Sequence, residues 1–498
     1  MQPRSRRAPL QIEREAFREI GHQLVDQIAT FIESQPARPV THDESPEAVR
    51  QAFDLTAKLP EQGTDPKALV DDTARSLFDH SLLNGHPKFF GYITSSPAPI
   101  GMLGDLLAAA INANVGAWVL SPAATEIEAQ TVRWIAEFMG YPPDCGGILV
   151  SGGNMANTVC LMAARAAMAR HDIREQGISP AGGRLRVYGS AETHTWIQKA
   201  ADMAGLGTSA IRWIPVDAQQ RMDVEQLRRA IDADTAAGDI PCMVVGTAGS
   251  VSTGAVDPLP QIAAICKEHG AWFHVDGAYG GLAAGVPAAP PDLRGLELAD
   301  SVAVDPHKWF YAPLEAGCAL VRDAEKLRAA FAYHPRYYHF GGEVLNFLDY
   351  GPQNSRGFRA LKVWLAFKQA GAAGYRMMIG DDLRLSRAMA AAVERHPDLE
   401  LCTQSLSITT FRYLPPELRG TASEEAVNAV NQALLDRLQR GGELFVSHAI
   451  VGGRFALRAC IVNFYTSEED VEAVPEIVAR VGREVLGDRA RTAAPTSS

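Results

Sequence analysis

Residues 299–310, ADSVAVDPHKWF, join a short apolar run to a His-Lys pair, and this stretch decides how the rest of the chain is interpreted. Ser301 to Val304 has the composition of a buried strand. Pro306 has no N–H to donate, so we expect the strand to end there in a turn. Lys308 then lies on a loop at the end of a core strand, where α/β enzymes tend to keep their chemistry. Most lysines are solvated surface residues, but one beside a histidine and two aromatic residues can lose its proton more easily and form a Schiff base.

Strand-like and helix-like segments alternate between residues 147 and 323. The predicted buried strands are seven short apolar segments: 148–150, 185–188, 211–216, 242–245, 272–275, 301–304 and 318–321. Helical patterns lie between most of them, for example at 224–231 and 261–268. This alternation predicts an α/β fold in which a mostly parallel sheet carries helices on both faces. Ligands of such sheets bind at the carboxyl ends of the strands.

Three further motifs follow predicted strands, as the Lys308 turn does. The glycines of the SGGN turn at 151–154 let the backbone approach an anion, and a helix starting there directs N–H groups at a phosphate. His194 has a flat ring that can stack on an aromatic cofactor, and Asp276 suits a carboxylate facing a ring nitrogen, with the small Ala278 beside it. Taken singly, a glycine-rich turn is more often just a turn, a lone histidine is usually structural, and Asp276 is alternatively a helix cap. Together the four motifs supply what pyridoxal phosphate needs: a phosphate cradle, a stacking ring, an acid for the pyridine nitrogen and an amine for the aldehyde.

Composition argues against several classes of partner. The net charge of −11 disfavours nucleic acid and anionic membranes, because both reward clustered positive charge. The seven cysteines form no CxxC pair, which favours reduced thiols over a disulfide framework and offers no metal-type spacing. The basic N-terminus is not followed by an apolar segment, and apolar runs elsewhere are too short to span a membrane. We therefore expect a cytoplasmic protein with no bound metal, no nucleic-acid partner and no membrane partner.

The combined motifs resemble those of the group II pyridoxal-phosphate decarboxylases, and most closely the aromatic-L-amino-acid decarboxylases. The matching segments are HPKFF at 86–90, SPAATE at 121–126, HVDGAY at 274–279, DPHKW at 305–309 and FRALKVW at 358–364. The resemblance implies a type I aminotransferase-like fold with a mostly parallel seven-stranded central sheet and pyridoxal 5′-phosphate as cofactor. It also implies an L-amino acid as small-molecule substrate and a homodimer whose active sites lie at the subunit interface.

Three regions are expected from this resemblance and from the element pattern. Residues 1–99 would form a helical N-terminal segment that packs on the partner subunit, and residues 100–361 the large cofactor-binding α/β domain. Residues 362–498 would form a small C-terminal α+β domain, with predicted strands at 406–413, 443–447 and 455–463.

The resemblance also implies a role for each matching site residue. The implied catalytic residues are Lys308, which bonds to the cofactor, Asp276, which holds its pyridinium nitrogen, His194, which stacks on its ring, and Tyr350, which protonates the substrate α-carbon from a mobile loop. The cofactor site would be completed by Gly153, Asn154 and His307 at the phosphate, Thr247 near the ring and Ala278 against the ring face. Candidate substrate residues are Tyr92, Ile93, Ser95, Trp118 and Ser355.

Three positions depart from the family pattern. Asn154 stands where the phosphate turn usually has serine, and it can still donate a hydrogen bond. Asp305 replaces the asparagine common before Pro-His-Lys, which puts a negative charge near the phosphate unless the side chain turns outward. The loop around Tyr350 is shorter than in the animal and plant enzymes, so its match depends on the flanking residues. Ser355 falls where histidine-preferring relatives tend to carry serine and aromatic-preferring ones glycine.

The leading hypothesis is therefore an enzyme that converts an aromatic L-amino acid into its amine. Alternatives are a decarboxylating aldehyde synthase, a decarboxylase of another amino acid such as histidine or glutamate, and a non-catalytic binding protein that kept the fold. Aldehyde synthases typically carry phenylalanine in place of the loop tyrosine, so Tyr350 argues against the first. Retention of Lys308, Asp276 and His194 argues against the last.

Overall fold

The computed structural model of the protein describes residues 8–178, 182–333 and 344–493. The helices of this part are α1 (Arg14–Ser34), α2 (Pro46–Ala52), α3 (Pro66–Asp79), α4 (Pro99–Ile111), α5 (Pro122–Met139), α6 (Gly153–Met168), α7 (Ile173–Gln176), α8 (Trp196–Met203), α9 (Val224–Ala236), α10 (Leu259–His269), α11 (Pro306–Trp309), α12 (Ala324–Phe331), α13 (Ala360–Arg395), α14 (Glu424–Gly441) and α15 (Glu468–Ala493). The strands are β1 (Gly146–Val150), β2 (Leu185–Ser190), β3 (Ile211–Ile214), β4 (Ile240–Thr247), β5 (Trp272–Asp276), β6 (Ser301–Val304), β7 (Gly317–Val321), β8 (Leu399–Ser405), β9 (Ile408–Tyr413), β10 (Ser447–Val451) and β11 (Arg454–Cys460).

The large sheet contains the seven predicted strands in the order β1-β7-β6-β5-β4-β2-β3. Its pairs are parallel except that β7 runs antiparallel to both of its neighbours, β1 and β6. Strands such as β4 and β5 are buried along their whole length, because helices cover both faces of a parallel sheet and leave no polar side to alternate with. The predicted α/β class with a mostly parallel seven-stranded sheet is confirmed.

The register of this sheet gathers the polar strand ends at one edge. Thr247 at the end of β4 pairs with Asp276 at the end of β5, and Asp276 in turn pairs with Ala303 of β6. The turn after β6 begins helix α11, which carries Lys308. Parallel strands end at the same edge, so side chains that lie far apart in sequence meet there.

A second sheet, in the order β10-β11-β9-β8, is antiparallel throughout and packs with α13, α14 and α15. The strand predicted at 443–447 is wrong, because Phe445 bridges instead to Phe89 in the N-terminal region and β10 begins only at Ser447. Strand β8 was not predicted, since after Leu399 its residues are only half-buried and show no clear alternation. Helix α13 connects the two sheets and changes direction at Gly371, whose φ is +63°.

The N-terminal helices leave apolar side chains in solvent. Helix α1 has no buried residue and contacts α3, partly through hydrogen bonds from Gln23 and Gln27 to Asp71. Helix α4 exposes a row of large apolar residues, namely Leu103, Leu106, Leu107 and Ile111. Across the described ranges, no helix combines the length and the apolar character that crossing a membrane requires.

Candidate active site

A cavity of about 660 Å³ opens at the carboxyl edge of the large sheet, between this sheet and the C-terminal one. Seven residues that the sequence assigned to the cofactor line it: Gly153, Asn154, His194, Thr247, Asp276, Ala278 and Lys308. Two of the candidate substrate residues, Tyr92 and Ile93, also contribute to the wall. The structure thus brings most of the predicted set together in one concave site.

Lys308 enters the cavity from a short turn that the sequence rigidly constrains. Pro306 starts the single-turn helix α11, and the Lys308 amide donates to the carbonyl of Asp305 at 2.9 Å. The Lys308 ammonium lies 3.0 Å from Oδ2 of Asp305. Asp305 as a whole is only 2% exposed. Asp305 therefore turns inward, and a buried ion pair occupies the position where the sequence suggested an unfavourable charge.

Asp276 is held by three N–H donors at the base of the cavity. The indole of Trp196 donates to Oδ2 at 2.7 Å, while the Asn157 amide and the Ala278 backbone donate to Oδ1 at 3.3 and 3.2 Å. These donors fix the orientation of the carboxylate and match its ionised form, which only accepts. The arrangement suits a carboxylate that must face a protonated ring nitrogen.

A buried polar network, which the sequence analysis did not predict, supports this carboxylate from behind. Asn157 Oδ1 lies 2.7 Å from His274 Nε2, and His274 Nδ1 lies 2.8 Å from the Ser301 hydroxyl, which also accepts the Trp272 indole N–H at 2.8 Å. Complete burial lowers the pKa of His274 to about 4, so its ring is neutral at physiological pH. A neutral ring that donates from Nε2 directs the Asn157 amide group toward Asp276.

His194 stands at the cavity wall as a neutral ring. Burial lowers its pKa from 6.5, and the charge of Asp276 only partly opposes this shift. Its Nδ1 accepts the Trp196 backbone N–H at 3.2 Å, which places the ring proton on Nε2, toward the remaining space. A neutral imidazole in this position offers a flat face and one N–H donor.

The turn between β1 and α6 has the shape of an anion cradle. Gly152 has φ +136°, and a Cβ on Gly153 would lie 2.6 Å from the Asp305 carboxylate, so no larger residue fits there. The ring of His307 covers the turn, 3.3 Å from where a Gly152 Cβ would be, while its Nδ1 lies 2.7 Å from the Ala316 carbonyl. The first N–H groups of α6 have no partner within the helix and are free to bind a phosphate.

These residues fit a phosphorylated ring cofactor such as pyridoxal phosphate. Besides the cradle, the buried hydroxyl of Thr247 lines the cavity and has no hydrogen-bond partner within the described ranges. An unpaired buried hydroxyl is costly unless a ligand satisfies it. In the same part of the chain, no cluster of three or more His, Cys, Asp or Glu side chains is arranged to hold a metal ion.

Five of the predicted site residues do not line this cavity in the described part of a single chain: His307, which covers the neighbouring turn, and Ser95, Trp118, Ser355 and Tyr350. Ser95 lies behind the wall, where its hydroxyl donates to the His307 carbonyl at 2.8 Å. The indole of Trp118 donates to Glu126 instead. Ser355 is exposed. Tyr350 lies beside Phe347, with the charges of α12 near its hydroxyl, and burial raises its pKa.

The C-terminal region supplies cavity residues that the sequence analysis missed. They come from α14 and the second sheet: Gln432, Leu435, Asp436, Gln439, His448, Phe455 and Arg458. Arg458 is 2% exposed and donates to the carbonyls of Val251 and Tyr92 and to the Ser447 hydroxyl. It therefore connects the C-terminal sheet with the loops at the edge of the large sheet. The matching motifs all lie between residues 86 and 364, so they gave no reason to single these residues out.

Comparison with known proteins gives matches over nearly the whole chain. The model of the pyridoxal-dependent decarboxylase conserved domain matches residues 46–414. The aromatic-L-amino-acid decarboxylase of Bacillus atrophaeus is 33% identical over 96% of this chain and 97% of that protein. The phenylacetaldehyde synthase of a Rosa hybrid cultivar is 29% identical, with 95% of each chain covered. The crystal structure of Oryza sativa TDC with PLP and tryptamine has a TM-score of 0.88 at 29% identity, covering 96% of this chain and 99% of that one.

Proposed function

Because this chain belongs to the pyridoxal-dependent decarboxylase family, we propose that it removes the carboxyl group of an aromatic L-amino acid and releases the amine and carbon dioxide. The chain is a pyridoxal-phosphate-dependent amino-acid decarboxylase. The observation that carries the proposal is the convergence of Lys308, Asp276 and His194 on one cavity that the sheet register itself creates. The sequence match alone would not require these side chains to share a wall.

Each of these residues has a chemical task that its surroundings support. Lys308 would hold the cofactor through its side-chain amine. Asp276, held by three donors, would keep the ring nitrogen protonated. His194 presents its flat face to the ring and its Nε2–H to the substrate side. When bound, the cofactor supplies the electron-accepting ring that takes up the bonding pair left by the departing carboxylate.

An aromatic substrate suits the composition of the cavity wall. Its apolar residues include Tyr92, Ile93, Leu435 and Phe455, and the ring of His448 stacks on Phe455 at 5.1 Å. An acidic side chain such as glutamate would need an available cation. In the described part of the wall, Lys308 is paired with Asp305, and Arg458 donates through Nε and Nη1 to neighbouring carbonyls and a hydroxyl, while its Nη2 has no hydrogen-bond partner there. The wall also carries the carboxylates of Glu192 and Asp436, which would repel an acidic substrate.

A decarboxylating aldehyde synthase is the second candidate, because the phenylacetaldehyde synthase of the Rosa hybrid cultivar matches 95% of this chain. Tyr350 disfavours it on the expectation that this tyrosine protonates the substrate α-carbon. In a single chain, however, Tyr350 packs beside Phe347 and outside the cavity wall. Protonation of the substrate α-carbon by Tyr350, the step that gives the amine, therefore requires either movement of its loop or a second subunit.

A homodimer explains both the exposed apolar faces and the missing wall residues. The row on α4 that includes Leu106 and Ile111, together with α1, would be buried against a partner. The 1–99 segment would then pack on the other subunit, and Trp118, Ser355 and Tyr350 would face the partner's cavity. We place this dimer in the cytoplasm, in keeping with seven free cysteines that form no CxxC pair.

The function is tested by measuring carbon dioxide and amine release from tryptophan, tyrosine, phenylalanine, DOPA, histidine and glutamate. We expect turnover of one or more aromatic amino acids and at most trace turnover of glutamate. The protein should be yellow, and borohydride should bleach it by fixing the cofactor to Lys308; Lys308→Ala is the matched control. A colourless protein that takes up no cofactor would refute the assignment, and preferred turnover of glutamate would refute the aromatic substrate. Sedimentation at several concentrations tests the dimer, and a monomer throughout would exclude it.

A further inference from the structure

Asp305 is a buried carboxylate beside the attachment lysine, where a phosphate also has to bind. Its Oδ2 lies 3.0 Å from the Lys308 ammonium and 3.7 Å from His307 Nε2. The same oxygen lies 2.6 Å from the position of a Cβ on Gly153, at the start of the phosphate cradle. A permanent negative charge here would repel a phosphate that itself carries about −1.5 to −2 charges at pH 7.

A structural role does not account for this side chain. Asp305 immediately precedes α11, so its ordinary task would be to cap that helix, yet its side chain makes no capping hydrogen bond. Its second oxygen, Oδ1, is buried and has no hydrogen-bond partner within the described ranges. The carboxylate is therefore directed at Lys308 rather than at the backbone it could stabilise, and one oxygen stays available.

Covalent capture of pyridoxal phosphate requires a proton to leave Lys308. Only a neutral amine has the lone pair that attacks an aldehyde carbon. A base that takes the proton must lie within hydrogen-bond reach, about 2.6–3.2 Å. The 3.0 Å separation of Lys308 Nζ and Asp305 Oδ2 satisfies this condition.

We propose that Asp305 is the base that takes the Lys308 proton during cofactor capture, and that the neutral carboxylic acid it becomes then faces the phosphate. The proposal rests on the role of Lys308 given above. Transfer of one proton converts the ammonium and carboxylate into an amine and an acid. The Nζ lone pair then forms the bond to the aldehyde carbon, and the aldehyde oxygen leaves as water with the two amine hydrogens. The transferred proton remains in the site, and the repulsion between Asp305 and the phosphate disappears.

The other charged groups around the pair are less suited to this task. Burial lowers the pKa of both His194 and His307, so the two rings are neutral, and their Nδ1 atoms are engaged by the Trp196 backbone N–H and the Ala316 carbonyl respectively. Asp276 is held by its three donors. Lys362 is paired with Asp105 at 3.1 Å, and burial keeps the Cys318 thiol protonated by raising its pKa.

The test follows cofactor uptake by the full-length apoprotein in a rapid-mixing experiment. Pyridoxal phosphate is added between pH 6.5 and 9.5, and the visible absorbance of the bound form is recorded for wild type, Asp305→Asn and Asp300→Asn. Asp300 is the matched control, because it is a carboxylate at the opposite end of the same strand, where it accepts the Phe273 N–H at 2.8 Å. Binding of pyridoxamine phosphate, which has no aldehyde, is measured in parallel by tryptophan fluorescence.

We expect Asp305→Asn to capture the cofactor about 100-fold more slowly at pH 7, the scale of a lost general base. Its rate should rise about tenfold per pH unit, because hydroxide must then remove the proton. Pyridoxamine phosphate binding should not be slowed, and Asp300→Asn should behave like wild type. Added formate should accelerate capture by Asp305→Ala, because a small carboxylate can enter the vacated space; this variant also serves if the asparagine protein is unstable.

Two results would overturn the proposal. Capture by Asp305→Asn at the wild-type rate and with the wild-type pH profile would show that Asp305 is not the base. Faster capture together with tighter pyridoxamine phosphate binding would show that the carboxylate only repels phosphate. Failure of the underlying role of Lys308 looks different, since borohydride would then fix the cofactor in Lys308→Ala as well.

Discussion

The Asp276→Asn substitution gives the sharpest test of the proposed chemistry. Both carboxylate oxygens accept N–H groups, Oδ2 from Trp196 and Oδ1 from Asn157 and Ala278. An amide replaces one oxygen by an NH₂ group, so in either orientation two donors face each other. The substitution also removes the negative charge that would hold the ring nitrogen protonated.

These two losses have separate magnitudes. An unsatisfied buried donor costs about 1–3 kcal/mol, which should appear as a lower free energy of unfolding. The lost electrostatic stabilisation of the reacting state should cost about 3–4 kcal/mol, or a 100- to 1000-fold decrease in kcat. Asp276 is 6% exposed, so water cannot easily replace the missing charge.

The assay measures kcat for carbon dioxide release at saturating cofactor and the urea midpoint of the apoprotein. Asp257→Asn is the control, because both of its oxygens likewise accept buried N–H groups, from Met222 at 2.7 Å and Thr247 at 2.8 Å. It should lose stability to a similar extent while kcat changes less than about tenfold. The reasoning fails if Asp276→Asn keeps kcat within threefold of wild type, or if both variants lose kcat equally.

Three further predictions concern other parts of the chain. Burial lowers the pKa of His274 to about 4 from 6.5, so the unfolded chain binds a proton that the folded chain does not, and this group should reduce the free energy of unfolding by about 2 kcal/mol between pH 7 and pH 5. Because burial raises the pKa of Asp257 to about 6 and of Asp382 to about 7, which acts in the opposite direction, the effect is measured as the difference between wild type and His274→Gln, and equal pH dependence of the two urea midpoints would contradict it. Arg356→Met leaves the fully buried Glu128 without its ion-pair partner and should cost about 3–5 kcal/mol in urea denaturation, against less than about 1 kcal/mol for the surface control Arg437→Met; equal losses would refute the buried pair. Tyr350→Phe should reduce amine and increase aldehyde and hydrogen peroxide, and unchanged amine output would remove Tyr350 from the reaction.

Local sequence was sufficient for the large sheet and for its strand-end residues. Each of the seven strands is a short apolar run bounded by turn residues, and such runs bury well wherever they pair. A residue that immediately follows a strand of a parallel sheet has its position fixed by that strand. Lys308 and Asp276 could therefore be placed near one another from the sequence, whereas Thr247 was added only by the family resemblance.

The second sheet and the far wall of the cavity were harder to predict from the sequence. The segment around Phe445 has strand composition, but it bridges to Phe89, more than 350 positions earlier. No local pattern reveals such a partner. Gln439 and Arg458 likewise reach the cavity only because the C-terminal sheet packs over the edge of the large one.

The sequence by itself determined the fold class and the family motifs, and it singled out Lys308 as the candidate attachment lysine, because each depends on residues within one strand and its turn. Only the tertiary structure decided what those residues contact. It turned Asp305 inward onto Lys308, and it linked Asp276 through Asn157 to His274. It left Tyr350 beside Phe347, outside the wall. Hydrogen bonds and ion pairs act over about 3 Å, and which atoms come that close depends on how distant segments pack rather than on their order along the chain.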